Sequence, residues 1–84
     1  MLSTFEVQDA AGTRYMASRY NVSNEGLREW VGSPTEAGRK PEVREASGKY
    51  RLLTYGDVVL RDEHGEFHAV GEELFDRLFR KVSA

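Results

Sequence analysis

The sequence predicts an α+β domain: a small antiparallel sheet of about five to six strands in the order β-β-α-β-β-β-β-α, with two helices packed on one face. Three observations predict it. Residues 56–82, GDVVLRDEHGEFHAVGEELFDRLFRKV, read as strand, tight turn, strand and amphipathic helix with almost no slack between them. Turn signals pairing Gly with Asp or Ser recur at residues 9–12, 47–48 and 62–65, where they join apolar-alternating segments. Such hairpin links make neighbouring strands antiparallel. The length, 84 residues, allows one domain with a thin core.

The elements follow in order. In residues 3–8, Phe5 and Val7 alternate with polar neighbours, the pattern of a half-buried strand. Asp9-Ala10-Ala11-Gly12 is a turn, because Asp bonds its own backbone and Gly accepts a positive φ. Residues 13–19 return as a second strand, with Tyr15 and Ala17 on one face and Met16 on the other. A short helix comes next. Ser23 suits its N-cap, Val22 and Leu27 suit a hydrophobic staple, and Leu27, Trp30 and Val31 form its buried stripe. Gly32 sits where a C-terminal glycine belongs. Gly26 within the helix costs up to about 1 kcal/mol against Ala, so the helix depends on tertiary packing.

Residues 32–41, GSPTEAGRKP, form the one long loop, with both prolines and the adjacent Arg39 and Lys40. This loop is expected to be the mobile part of a single domain spanning residues 1–84, and loops on rigid scaffolds often carry binding contacts. Residues 42–46 and 49–54 are strands joined at Ser47-Gly48. Tyr55-Gly56-Asp57 breaks the chain, residues 58–61 form a strand, Asp62-Glu63-His64-Gly65 turns, and residues 66–70 return. The last helix is expected over 72–82, with Leu74, Phe75, Leu78, Phe79 and Val82 on one face. Glu72 and Glu73 suit its positive N-terminal end, and Arg80 and Lys81 its negative C-terminal end. The sheet face opposite the helices should carry Glu66, Arg51 and Arg61, with Tyr55.

Composition removes several function classes. There is no cysteine, so disulfides and thiolate metal sites are excluded, and a reducing cytoplasm fits. The net charge of −2 argues against a dedicated nucleic-acid binder, which shows a basic footprint. No apolar run reaches the roughly 20 residues of a membrane span. The N-terminal residues have neither the basic nor the apolar region of a signal peptide.

The candidate chemistry is sparse. His64 and His68 lie four apart, but one falls in a turn and the other in a strand, and zinc needs three or four converging ligands, so no metal site is expected. Asp62, Glu63, Glu66, Glu72 and Glu73 read as solvated acids, with nothing to bury one of them and raise its pKa for acid–base work. Together with Asp57 they offer an acidic surface that a basic partner would meet with faster association. Lys49 and its neighbours lack the glycine spacing of a phosphate loop. The serines at 3, 18, 23, 33, 47 and 83 have cap, turn or surface readings, and no nucleophile–base pair is identifiable. No enzyme and no cofactor are therefore expected. Tyr20 and Tyr55 flank turns and are expected to be exposed enough to make contacts; Arg39 and Lys40 are the matching basic candidates.

Taken together, Gly56-Asp57-Val58-Val59-Leu60, Gly65-Glu66-Phe67, Glu72-Glu73-Leu74-Phe75 and Phe79, with Leu27, Trp30, Val31 and Gly32, resemble a family of small phage and prophage proteins. That family combines an N-terminal aromatic strand, a short helix with Trp or Phe, and a closing GD(Y/V)(V/I)(V/L)…GE(F/Y)…F block. The resemblance spans about residues 4–82 and departs at Val58, where the family often has Tyr. It implies a small phage-type protein acting in the host bacterial cytoplasm, and it transfers a fold and not a site.

Two classes of function follow as expectations. One is a stoichiometric inhibitor that binds a host protein, of the anti-defence, anti-CRISPR-like kind, with Asp57, Asp62, Glu63, Glu66, Tyr20, Tyr55, Arg39 and Lys40 as its candidate contacts. The other is a protein that sequesters a small ligand such as a nucleotide signal, through Arg14, Arg19, Arg39, Lys40 and Tyr20. A self-associating accessory or virion component, including a homodimer, is a third. Neither a membrane nor direct nucleic-acid contact is expected.

Overall fold

Both hairpins of the main sheet are closed by one device, an aspartate whose carboxylate accepts the amides of the turn that follows it. A computed structural model describes residues 1–82; Ser83 lies outside the described residues. In the first hairpin β1 (Phe5–Asp9) pairs with β2 (Arg14–Arg19), with Phe5 opposite Ala17 and Val7 opposite Tyr15. Asp9 Oδ1 accepts from the amides of Ala11 and Thr13 at 3.0 Å, and Gly12 takes the left-handed φ of 84°. In the second, β5 (Val58–Arg61) pairs with β6 (Phe67–Val70). There Asp62 Oδ1 accepts from the amides of His64 and Glu66 at 2.9 Å, and Gly65 repeats the role of Gly12 with φ 81°. Two residues separate Asp from Gly in each case, so this part of the fold is written locally.

Between β2 and β5 the chain leaves the sheet, forms helix α1 (Leu27–Val31) and the hairpin β3 (Glu42–Arg44) and β4 (Tyr50–Leu52), and returns. Helix α1 differs at its start from the expected helix. Its N-cap is Gly26, without a side-chain cap; the Ser23 hydroxyl bonds Asn21 Oδ1 at 2.8 Å instead. Val22 is 84% exposed, so no staple forms with the buried Leu27. A Cβ on Gly26 would meet the Leu2 backbone nitrogen at 2.6 Å, so this glycine serves a close chain approach. The C-terminal end is as expected: Gly32 has φ 65° and its amide bonds back into the helix.

After β6, helix α2 runs from Glu72 to Leu78, and the chain passes directly into β7 (Phe79–Lys81), which pairs antiparallel with β1. The expected helix over 72–82 is therefore wrong for its last turn. Phe79 is extended (φ −126°, ψ 151°), and the Val82 amide donates to the Glu6 carbonyl at 2.9 Å. No glycine or proline marks this transition. The gain is an edge partner for the backbone groups of β1, which a longer helix would leave unpaired.

The main sheet has the order β6-β5-β2-β1-β7, with β3-β4 as a separate two-stranded sheet. This is the expected α+β class with an antiparallel sheet of five strands, but β3 and β4, expected within it, stand apart as their own hairpin, and β7 joins it. Every adjacent pair is antiparallel, so β6 and β7, four steps apart, run the same way, and α2 is the crossover between them. The layering differs from the expected single helical face. Alternation along β5 sends Val59 to one face, where it joins Leu27, Val31, Val43, Leu53 and Ala69 beneath α1 and the β3-β4 hairpin. It sends Val58 and Leu60 to the other, where they join Val7, Ala17 and Phe75 beneath α2. The two helices thus lie on opposite faces. Arg51, expected on a polar outer face, turns inward and donates to the Ala69 carbonyl at 2.9 Å. On the α1 side, the β1-β2 half of the sheet stays uncovered, with Met16 42% exposed and Arg14 paired to Glu6 at 3.6 Å.

Candidate functional site

The chain brings two of its tyrosines together by backbone stitching. Tyr20 follows β2, and Tyr55 lies in the turn before β5. The Tyr20 amide donates to the Asp57 carbonyl at 2.8 Å, and the Gly56 amide donates to the Tyr20 carbonyl at 2.9 Å. Gly56 allows the turn by taking φ 97°. The two rings then stack, with centroids 4.9 Å apart and planes 20° from parallel. Tyr20 is half-buried against the α1 core, whereas Tyr55 is 63% exposed and keeps its outer surface free. Burial first, and then the neighbouring Tyr55 hydroxyl, hold the Tyr20 phenol above its ordinary pKa; Arg28 opposes them.

The facing wall is the loop over residues 33–41, folded back onto α1 by one arginine. Arg28 Nη1 donates to the Thr35 carbonyl and to Thr35 Oγ1, both at 2.7 Å, and Nη2 donates to the Arg39 carbonyl. Thr35 Oγ1 donates to the Lys40 carbonyl at 2.9 Å, and Ser33 Oγ accepts the Glu42 amide at 2.9 Å. These bonds fix the loop backbone and leave the Arg39 and Lys40 side chains exposed at the rim. Tyr20, Tyr55, Arg28, Arg39 and Lys40, with Asn21, Glu25 and Pro41 among the remaining lining, line an open cleft of about 380 Å³. Concave sites of this size accept small ligands.

The cleft is locally basic in an acidic chain. Arg28, Arg39 and Lys40 form no ion pair among the described residues; Glu25, the one carboxylate in the lining, lies 3.7 Å from the N-terminal ammonium. Three cations against one acid give this surface a charge opposite to the net −2 of the chain.

The expected contacts divide sharply. Tyr20, Tyr55, Arg39 and Lys40 meet in this cleft. Arg14 and Arg19, proposed to join them, do not. Arg19 lies over the Phe75 ring at 5.5 Å, donates to the Gly56 carbonyl at 3.1 Å and pairs with Glu72 at 3.3 Å, while Arg14 belongs to the uncovered half of the sheet. Asp57 leaves the surface set: it is 7% exposed, its Oδ2 accepts the Thr54 amide at 3.0 Å, and Arg51 lies 3.8 Å away. Asp62 is likewise spent on the fold, through its turn amides and through His68 Nε2, 2.8 Å from Oδ2. Those bonds, that to His68 foremost, hold the Asp62 carboxyl below the ordinary aspartate range. Only Glu63 and Glu66 remain outward-facing from the acidic turn.

The residue missed from sequence is Arg28. In the sequence it is one polar position of a short helix, and its role depends on a loop that returns 11 residues later. Among the described residues no three His, Asp or Glu side chains converge to hold a metal ion, and no helix is long and apolar enough to cross a membrane. The arrangement can stack a planar group and attract an anion. No family model, no curated protein and no solved structure matches the chain.

Proposed function

We propose that this protein is a stoichiometric binding protein, acting without turnover, and that its working surface is the Tyr20–Tyr55 cleft, where it sequesters a small anionic ligand. The carrying observation is the convergence of a stacked tyrosine pair with Arg28, Arg39 and Lys40 around one concavity, in a chain otherwise acidic. Aromatic surface supplies contact area at little entropic cost, and the three cations, without ion pairs among the described residues, supply attraction for negative charge. The resemblance to small phage proteins supplies the setting: a protein in the host bacterial cytoplasm that withdraws a host molecule by occupying it. Thermal melting against a panel of nucleotides, sugar phosphates and polyphosphates tests this reading. A ligand at 100 times its dissociation constant adds about 2.7 kcal/mol of stability, a clear rise in Tm. No shift with any of the panel, at low salt, removes it.

The second reading is inhibition of a host protein, of the anti-defence kind. It is favoured by Glu63 and Glu66, which stay outward-facing beside the uncovered sheet half that carries Met16. Capture from a host lysate compares the wild type with Glu63→Lys/Glu66→Lys and with Tyr55→Ala. Loss of a captured protein in the acid variant alone supports this reading over the first.

A further inference from the structure

We infer that the ligand of the Tyr20–Tyr55 cleft is a nucleotide carrying two or more phosphates, bound with its base on Tyr55 and its phosphates on Arg39 and Lys40; this rests on the cleft being the working surface. Three observations select this class. The first is a free aromatic platform. Tyr20 occupies one face of the Tyr55 ring at 4.9 Å, and the 63% exposure of Tyr55 leaves the other open to a second flat ring. A base stacks there whatever its identity, because every base has a π-face. A sugar phosphate or polyphosphate would leave this platform unused.

The second is the division of labour among the cations. The Arg28 terminal nitrogens are committed to Thr35 and to the Arg39 carbonyl, so Arg28 shapes the loop and contributes its field. Arg39 and Lys40 are exposed, line the same cleft and are free of carboxylate partners among the described residues, so two positive charges are available at its rim. Charge-assisted contacts to phosphate oxygens are the strong ones, and two cations on one cleft match two adjacent phosphates better than one.

The third concerns the base edge. Asn24 Nδ2 is held by Ser18 Oγ and the Arg19 carbonyl, both at 2.7 Å, and its Oδ1 accepts the Ser3 amide. Asn21 Oδ1 accepts from the Ser23 amide and hydroxyl. Asn24 is thus engaged at both ends within the protein, and Asn21 keeps only its Nδ2 donor, which an acceptor on the edge of either purine can meet. The cleft should therefore hold bases by stacking area, purines above pyrimidines, with weak discrimination between adenine and guanine.

Isothermal titration at low salt with ADP, GDP, pyrophosphate and adenosine tests the assignment. ADP and GDP should bind within a few-fold of each other, and pyrophosphate and adenosine each roughly tenfold or more weaker. Tyr55→Leu, at an exposed site that leaves the core intact, should reduce ADP to the affinity of pyrophosphate and leave pyrophosphate unchanged. Arg39→Gln with Lys40→Gln should reduce ADP to the level of adenosine. Thermal melting confirms that each variant is folded. If pyrophosphate binds as tightly as ADP, or Tyr55→Leu leaves ADP binding intact, the nucleotide assignment falls while anion binding at the cleft stands. If none of the four binds, both fall.

Discussion

Gly26 shows how a residue's meaning depends on what lies beside it. By helix propensity alone, Gly26→Ala should stabilise the chain by up to about 1 kcal/mol. The structure reverses the sign, because the added Cβ would meet Leu2 backbone atoms at 2.6 and 2.9 Å, and backbone yields less readily than a side chain. Gly26→Ala is expected to destabilise by about 1–3 kcal/mol in urea unfolding. Asp62 gives a pH prediction. Its carboxyl ionises below the ordinary aspartate range in the folded protein, so folding favours the charged form. That contribution is present above the ordinary range and is lost as pH falls through the lowered value. The wild type should therefore exceed Asp62→Asn in urea midpoint at pH 5, and the difference should shrink as pH falls toward 2. A constant difference would show that the charge is not what Asp62 contributes. Ser18 and Asn24 belong to this scale too: both are buried, and Ser18 Oγ donates to the Ser3 carbonyl at 2.8 Å while Asn24 bonds Ser18, so they tie the N-terminal segment to β2. In the sequence they are ordinary polar residues.

At the scale of the element, the closing segment carries two overlapping messages. Its apolar spacing at 74, 75, 78, 79 and 82 is that of a long amphipathic helix, yet Leu74 is 45% and Leu78 50% exposed, while Phe75 is 6% exposed. The shortened α2 buries only Phe75, which meets Phe5 edge-on at 6.1 Å and Phe79 in a stack at 5.5 Å. Phe75→Ala should cost about 3–5 kcal/mol, and Leu78→Lys should stay within about 0.5 kcal/mol. Chemical denaturation of the two variants decides between the seven-residue helix and the longer one, in which Leu78 would be core and its substitution severe. The hairpins β1-β2 and β5-β6 were legible because Asp, Gly and the alternating strands all lie within one short stretch. The α2-β7 boundary was not, since its cause is the unpaired edge of β1, some 70 residues earlier in the chain.

At the scale of the molecule, β5 is shared by two cores. Val59 serves the cluster under α1, and Val58 and Leu60 serve the one under α2. A loss on one face must therefore be felt on the other. Leu60→Ala removes a side chain that is 1% exposed and should cost about 2–5 kcal/mol, a large part of the roughly 5–10 kcal/mol available to a domain of this size. Trp30 packs on Phe67 at 5.2 Å in the opposite cluster and reports on it by fluorescence. Leu60→Ala should lower the urea midpoint seen by Trp30 fluorescence as much as that seen by far-UV circular dichroism, in one coincident transition. Two separated midpoints would mean that the faces unfold independently.

The sequence by itself determined the class, the strands of both main-sheet hairpins, the turn aspartates and glycines, and four of the cleft residues as contact candidates, Tyr20, Tyr55, Arg39 and Lys40, but not Arg28. Each of those rests on neighbours a few residues apart, where spacing and backbone chemistry are sufficient. Only the tertiary structure decided which face each helix covers, that the last turn becomes β7, and that Asp57 and Asp62 serve the fold instead of the surface. It also decided that Tyr20, Tyr55, Arg39 and Lys40 share one concavity while Arg14 and Arg19 lie elsewhere. Those outcomes depend on which distant backbone groups and charges need partners, and periodicity carries no information about distances between segments that meet only in three dimensions.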